Sequence, residues 1–388
     1  MSSLSGRLVT ERYNTSNVKH DLTERWRRFF ATAFFCLILS QVAQAATFGE
    51  LYTVSVAPDT EARDVRADAI RRGMTLLLTR ITGRQQAAAY PELRELIDNA
   101  GGRYFAGYDN LRGNEVRVSF NAFEVNQALT RLNMPIWGEE RPATLLWLAA
   151  DFGNGERAEL MADDRAPPLR AGAVAGVPSQ PLSAEARDLF DEITREILRA
   201  ADERGLPLVL PELDAEDRMY VRFADVWGAF DPFVERAAER YDVGAILIAR
   251  VVGTELGTEV HWTVRRGEQR ETLTTPRARM GIDWLADEFA AQYTTIGGAR
   301  MTWVTIRGIR SWTDWRVVDV LSSLSIVESA VPDSIAGDDL VLRVAARGDD
   351  DQLARLLTLD GRLLRVDSEP GLVFTPAWRT GVESSEPP

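Results

Sequence analysis

The chain has 388 residues, 45% hydrophobic and 27% charged, with a formal net charge of −13. That balance excludes a collagen-like, disordered or multi-span membrane chain, and the length suggests two or three domains of about 150 residues each. Excess negative charge disfavours nucleic acid and anionic lipid as partners, because both need a basic surface.

The N-terminus carries an address. Arg25, Arg27 and Arg28 precede an 11-residue charge-free run, Phe29 to Leu39, and Ala43-Gln44-Ala45 follows. A basic stretch, a short apolar run and a small-x-small pattern make a secretory signal peptide over residues 1–45, cut between Ala45 and Ala46. A retained anchor would need roughly 20 apolar residues. Cys36 is no lipoprotein site, since it lies inside the apolar run. The expected destination is the periplasm of a bacterial cell, with no stable membrane anchor after cleavage.

Loss of that segment, which carries a net +3, takes the net charge to −16 and removes Cys36, Lys19 and His20. The remaining chain has no Cys, no Lys and one histidine, His261. Disulfides, a Cys nucleophile, a Schiff-base or P-loop lysine and Cys/His zinc sites are therefore excluded. No cofactor or metal is expected.

Three small domains are expected, of α/β and α+β class. In the first, residues 46–151, Leu51 to Val56 alternates as a strand. Thr60 can cap a helix with Val65, Ala69, Gly73, Leu76 and Leu77 on one face, stopped by Gly83. A helix from Pro91 to Asn99, a strand from Val116 to Phe120, a helix from Phe123 to Leu132 and a buried strand from Thr144 to Ala150 follow. Residues 152–182, rich in Gly, Pro and Asp, read as hairpin or loop plus linker.

The second domain, residues 183–298, opens with Ser183 as N-cap of a helix that Gly205 stops. Leu208 to Leu210 is a short strand, Phe233 to Tyr241 a helix and Ala245 to Val252 a buried strand. A hairpin turns near Gly267, and Ile282 to Tyr293 is helical. The third domain, residues 299–378, reads as strand Thr302 to Arg307, helix Thr313 to Leu321, strands Leu324 to Ser329 and Leu340 to Ala345, helix Asp351 to Leu359 and strand Leu363 to Val366. That β-α-β-β-α-β order is ferredoxin-like. The polar tail, residues 379–388, is expected to be disordered.

Several of these segments, Leu76 to Gly83, Leu132 to Pro142, the following strand Leu145 to Asp151, Leu206 to Asp217, Ala224 to Phe230 and Arg240 to Val251, resemble an uncharacterised bacterial family catalogued as domain of unknown function 2066. The resemblance implies no activity, because that family has no assigned catalytic residues.

The candidate sites are sparse. Gly153 and Gly155 begin a G-x-G-x-x-A run, but no long helix follows to hold a pyrophosphate. Asp349, Asp350 and Asp351 sit at a helix start, where carboxylates cap amides rather than bind calcium. Glu139 and Glu140 are adjacent, an arrangement that rarely converges on one bond. His261 lacks the surroundings of a triad. Asp225-Val226-Trp227-Gly228 and Pro135-Ile136-Trp137-Gly138 each put Trp beside Gly, and Trp serves both cores and partner hot spots. Trp137, Asp225 and Trp227 are therefore the candidate partner-binding residues. The expectation is a non-enzymatic envelope protein that binds a protein partner or envelope component. The alternatives are a carboxylate-based hydrolase of glycosidase type and small-ligand binding in an interdomain cleft.

Overall fold

Caps and apolar periodicity set most element boundaries. The structure is a computed structural model that describes residues 45–47, 50–111, 114–153, 155–162, 170–172, 181–254, 257–310, 312–359 and 361–379. The basic cluster, the apolar run, Ala43 and residues 380–388 of the expected tail lie outside these.

The first layer runs β1 (Ala45–Thr47), β2 (Thr53–Val56), α1 (Val65–Thr82), α2 (Pro91–Asp98), β3 (Phe105–Asn110), β4 (Val116–Phe120), α3 (Ala122–Arg131) and β5 (Glu140–Pro142). β4 lies between β2 and β3 in an antiparallel sheet, and β1 pairs with β5. Helix α1 starts later than Thr60: its cap is Asp64, whose carboxylate accepts from the Ala67 amide at 3.0 Å. Gly83 ends it in the left-handed region, φ 68°, where a Cβ would be strained. Ala69, Met74, Leu77 and Ile81 bury against Val54, Val118 and Phe120.

The second layer comprises β6 (Thr144–Asp151), β7 (Arg157–Met161), β8 (Arg170–Gly172), α4 (Ala184–Arg204), β9 (Leu208–Val209), α5 (Ala215–Tyr220), α6 (Phe223–Gly228), α7 (Asp231–Ala238), β10 (Ala245–Thr254), β11 (Gly257–Arg266), β12 (Gln269–Thr275) and α8 (Ala278–Tyr293). Its sheet order is β12-β11-β10-β6-β7-β8, with β9 also on β6. Strand β6 is parallel to β10 along its full length. It was read as the end of the first domain, yet it is central to this sheet. Its apolar run signals burial on both faces but not which strands it joins. Segment 152–182, expected to be hairpin or loop plus linker, contributes β7, antiparallel to β6, and β8, antiparallel to β7. One face of the sheet, with Leu146, Leu148 and Leu247, packs on α4 and α8 through Phe190, Ile197, Leu285 and Phe289. The other, with Leu145, Trp147 and Ile248, packs on Phe223, Val226 and Val234. The layers are thus helix, sheet, helix.

The third layer runs β13 (Arg300–Ile306), α9 (Arg316–Ser323), β14 (Val327–Ala336), β15 (Asp339–Ala346), α10 (Asp350–Leu359), β16 (Leu363–Arg365) and β17 (Leu372–Pro376). Its order is β14-β15-β13-β17-β16. The split arrangement is present, with β15 antiparallel between β14 and β13. The expected last strand, β16, is the far edge instead of the neighbour of β13. An additional strand, β17, takes that place and runs parallel to β13. Fold class is mixed α/β and α+β.

Candidate functional site

The two Trp-Gly segments end in different environments. Trp137 is fully buried in the second-layer core. Its ring lies 4.0 Å from the Arg141 guanidinium, and its amide donates to the Ile81 carbonyl at 2.7 Å. It cannot meet a partner, so its assignment as a binding residue is corrected to a packing role. The close approach at the following glycine is real. A Cβ on Gly138 would stand 2.0 Å from the Ser325 hydroxyl oxygen.

Asp225 and Trp227 belong to a helical corner, α5 to α7, on one face of the second-layer sheet. Both lie in helix α6. Asp225 accepts from the Arg222 amide at 2.9 Å, so its carboxylate starts the helix instead of facing a ligand. The Trp227 ring stacks on buried Phe223, centroids 5.7 Å apart and 13° from parallel, and its carbonyl accepts from Arg250 at 3.1 Å. Gly228 clears space for the Phe230 ring, which a Cβ would approach to 2.4 Å. Ala229, at φ 49°, breaks the helix in the left-handed region.

This geometry turns apolar side chains outward. Met219 is 73% exposed, Phe230 54% and Phe233 52%. Val221, Phe223, Val226 and Val234 fill the underside. Sequence reasoning missed the three outward residues. An amphipathic pattern shows one apolar stripe, and here the short helices carry apolar residues on both faces.

A charged rim borders the corner. Arg240 reaches Asp214 at 2.8 Å and Glu212 at 3.0 Å. The bond from Arg240, then the Asp217 amide, hold the Asp214 carboxyl down at about 2. Burial, then the bond to Asp217, push the Tyr241 hydroxyl up. That hydroxyl donates to the buried Asp217 carboxylate at 2.5 Å.

The other weighed residues take structural places. Gly153 and Gly155, both at positive φ, turn the chain from β6 into strand β7, where a dinucleotide fold would need a helix. Asp349 accepts from the Gln352 amide at 2.7 Å while Gln352 bonds back to the Asp349 amide at 3.0 Å, a capping box. Asp350 bonds Arg300 and Thr302. His261 faces Thr274 across the strand pair at 3.1 Å. Glu140 accepts from both the amide and the hydroxyl of Ser325, at 2.7 and 2.5 Å. Burial, then the Glu140 charge, raise the neighbouring Glu139 carboxyl. Among the described residues, no three His, Cys, Asp or Glu gather to hold a metal. None of their helices is long and apolar enough to cross a membrane.

A family profile described as a domain of unknown function (DUF8605) matches residues 45–138. This is an uncharacterised family, as expected, but a different one from the expected domain of unknown function 2066. The matched part covers β1 to α3 of the first layer and stops at Gly138, short of β5, so the helical corner lies outside it. No curated protein and no solved structure matches the chain.

Proposed function

We propose that this protein is an exported, non-enzymatic component of the bacterial cell envelope that binds a protein partner through the α5–α7 corner. The observation that carries this reading is that three large apolar side chains of this corner, Met219, Phe230 and Phe233, are exposed, on the same short run of chain as the stacked Trp227–Phe223 pair. Large apolar side chains exposed on neighbouring short helices cost solubility unless something covers them, and aromatic anchors with a polar rim are the usual anatomy of an interface. The periplasmic destination rests on the Arg25–Ala45 signal pattern alone. Kinship with domain of unknown function 2066 rests on the motif segments Leu76 to Gly83, Leu132 to Pro142 and Leu145 to Asp151, continued in Leu206 to Asp217, Ala224 to Phe230 and Arg240 to Val251.

Among the described residues, no contact favours the hydrolase alternative. Of the adjacent Glu139 and Glu140, the second is engaged by Ser325. The test is a photoreactive residue placed at Phe230 in the exported chain, followed by identification of the crosslinked species. One reproducible partner, lost when Phe233 is changed to Ser, is expected. Absence of any adduct from the intact envelope would refute the reading.

A further inference from the structure

The third-layer sheet buries one face and, across β13, β15 and β14, leaves the other exposed. Val304, Ile306, Leu340, Leu342 and Val344 pack against Val317, Leu321, Leu353 and Leu357 of α9 and α10. Residues of opposite parity point the other way. There the register aligns three rows across β13, β15 and β14: Met301–Ala345–Ser329, Trp303–Arg343–Val331 and Thr305–Val341–Ser334. Met301 is 56% exposed, Trp303 55% and Val331 46%.

Two features say what such a face accepts. First, in a chain of net charge −13, the three rows contain no carboxylate. Their one charge is Arg343, which among the described residues has no ion-pair or hydrogen-bond partner. Second, Arg343 stands directly opposite Trp303 in the strand pairing, a cation beside an open ring face. The free edge of the sheet is closed to strand addition, because β14 carries Pro332 and two register shifts. The face has no such protection.

We propose that this face is a self-association surface, occupied by the same face of a second copy. A two-fold axis parallel to the strands and midway between β13 and β15 maps each of these strands onto the other across the interface. Arg343 of each copy then lies over Trp303 of its mate, and Met301, Val331 and Val341 close around that pair. Two sheets stacked about 10 Å apart accommodate these side chains. The carboxylate-free rows are where two strongly acidic chains meet with least repulsion. With strands about 4.8 Å apart and about 3.4 Å per residue, the nine positions span roughly 300 Å². That is below the ~800 Å² per partner of a standard interface, so the dimer is concentration-dependent and not obligate.

Sedimentation velocity of the purified chain at rising concentration tests this. The wild type is expected to pass from monomer to dimer. Arg343→Glu sets a carboxylate against the ring, and Trp303→Arg sets cation against cation. Each is expected to weaken self-association at least about ten-fold while keeping the wild-type melting temperature, since both positions are exposed. Mixing the two variants restores one Trp-over-Arg contact and one new ion pair, so the mixture is expected to dimerise where each alone does not. A wild type that stays monomeric throughout, variants that dimerise like wild type, or a mixture that fails to pair would each overturn the proposal.

Discussion

Arg141 lies flat on Trp137, guanidinium to ring centre 4.0 Å, and spends its donors on backbone carbonyls. Nε donates to Gly138 at 2.9 Å, Nη1 to Arg204 and Gly205 at 3.0 and 2.8 Å, and Nη2 to Arg80 and Trp137, both at 3.0 Å. Those carbonyls come from the ends of α1 and α4 and from the 137–138 turn. One side chain therefore satisfies helix-end acceptors that would otherwise be buried and unpaired. Arg80 and Arg204 extend the junction. Arg80 bonds the Leu51, Thr53 and Asp202 carbonyls, and Arg204 bonds the Gly83 carbonyl, Asp283 and Asp287.

Arg141→Met keeps volume but orphans five carbonyls. The expected loss is about 3 kcal/mol or more, read from urea unfolding. Arg141→Lys is expected to recover little, because an ammonium cannot reproduce the planar fork. A Met variant within about 1 kcal/mol of wild type would show that the carbonyls find other donors.

Gly281 touches the indole of Trp262, and an added Cβ would stand 2.0 Å from the ring. Trp262 is fully buried and bonded to Thr275 at 2.9 Å, so it cannot move aside cheaply. Gly281→Ala is expected to cost about 1–3 kcal/mol through overpacking. Gly101, which has nothing within 4 Å of its Cβ position, is the control. Its Ala variant should melt at or slightly above wild type, and equal melting of the two variants would contradict the packing argument.

Two carboxylates should bend the stability curve in opposite directions. The folded-state pKa of Asp214, about 2, lies below the unfolded value near 3.9. Its stabilising effect is therefore full above about pH 4 and lost as pH falls toward 2. Asp214→Asn keeps a capping side chain, so it should lower the melting temperature at neutral pH and converge with wild type in acid. Glu139, raised by burial and then by Glu140, destabilises the fold when ionised. Glu139→Gln should melt higher than wild type at neutral pH, and the two should converge as pH falls through the raised pKa and below the unfolded one. Parallel pH curves for either variant would refute its assignment.

The mature N-terminus is a separate check. The bond between Ala45 and Ala46 lies within β1, where Ala45 pairs with Pro142 and Ala46 with Arg141. Mass spectrometry of the protein recovered from an exporting bacterial host should find Ala46 first. An intact residue 1–45 segment on the recovered protein would contradict the signal reading.

Much of this architecture was written locally. Ser183, Gly83, Gly205 and the Asp349–Gln352 pair mark helix ends by chemistry that acts within four residues. The hairpin at Gly267 needs its positive φ of 54° and was legible for that reason. What escaped depends on distant partners. Phe105–Asn110 contains Gly107, Asp109 and Asn110, poor strand formers, and is a strand because β4 supplies its ladder. The buried arginines looked like any others, since nothing local distinguishes a guanidinium that will meet carbonyls more than sixty residues away. At the candidate site, Trp227 was visible as an aromatic beside glycine. Phe230 and Phe233 became meaningful only when Ala229 turned them outward, and Trp137 looked the same as Trp227 until the core closed over it.

Photocrosslinking from Phe230 in the intact envelope tests the central claim most directly. The chain has a single lysine, Lys19, inside the proposed signal segment, so a photoreactive side chain is required in place of amine reagents. A single partner is predicted, lost with Phe233→Ser and absent when the same probe replaces exposed Arg94 on α2, outside the corner. Trp227→Ala is a poorer probe, because losing its stack on Phe223 should itself cost about 0.5–1.5 kcal/mol. An unadducted protein at Phe230, with Phe233→Ser indistinguishable from wild type, would contradict the account.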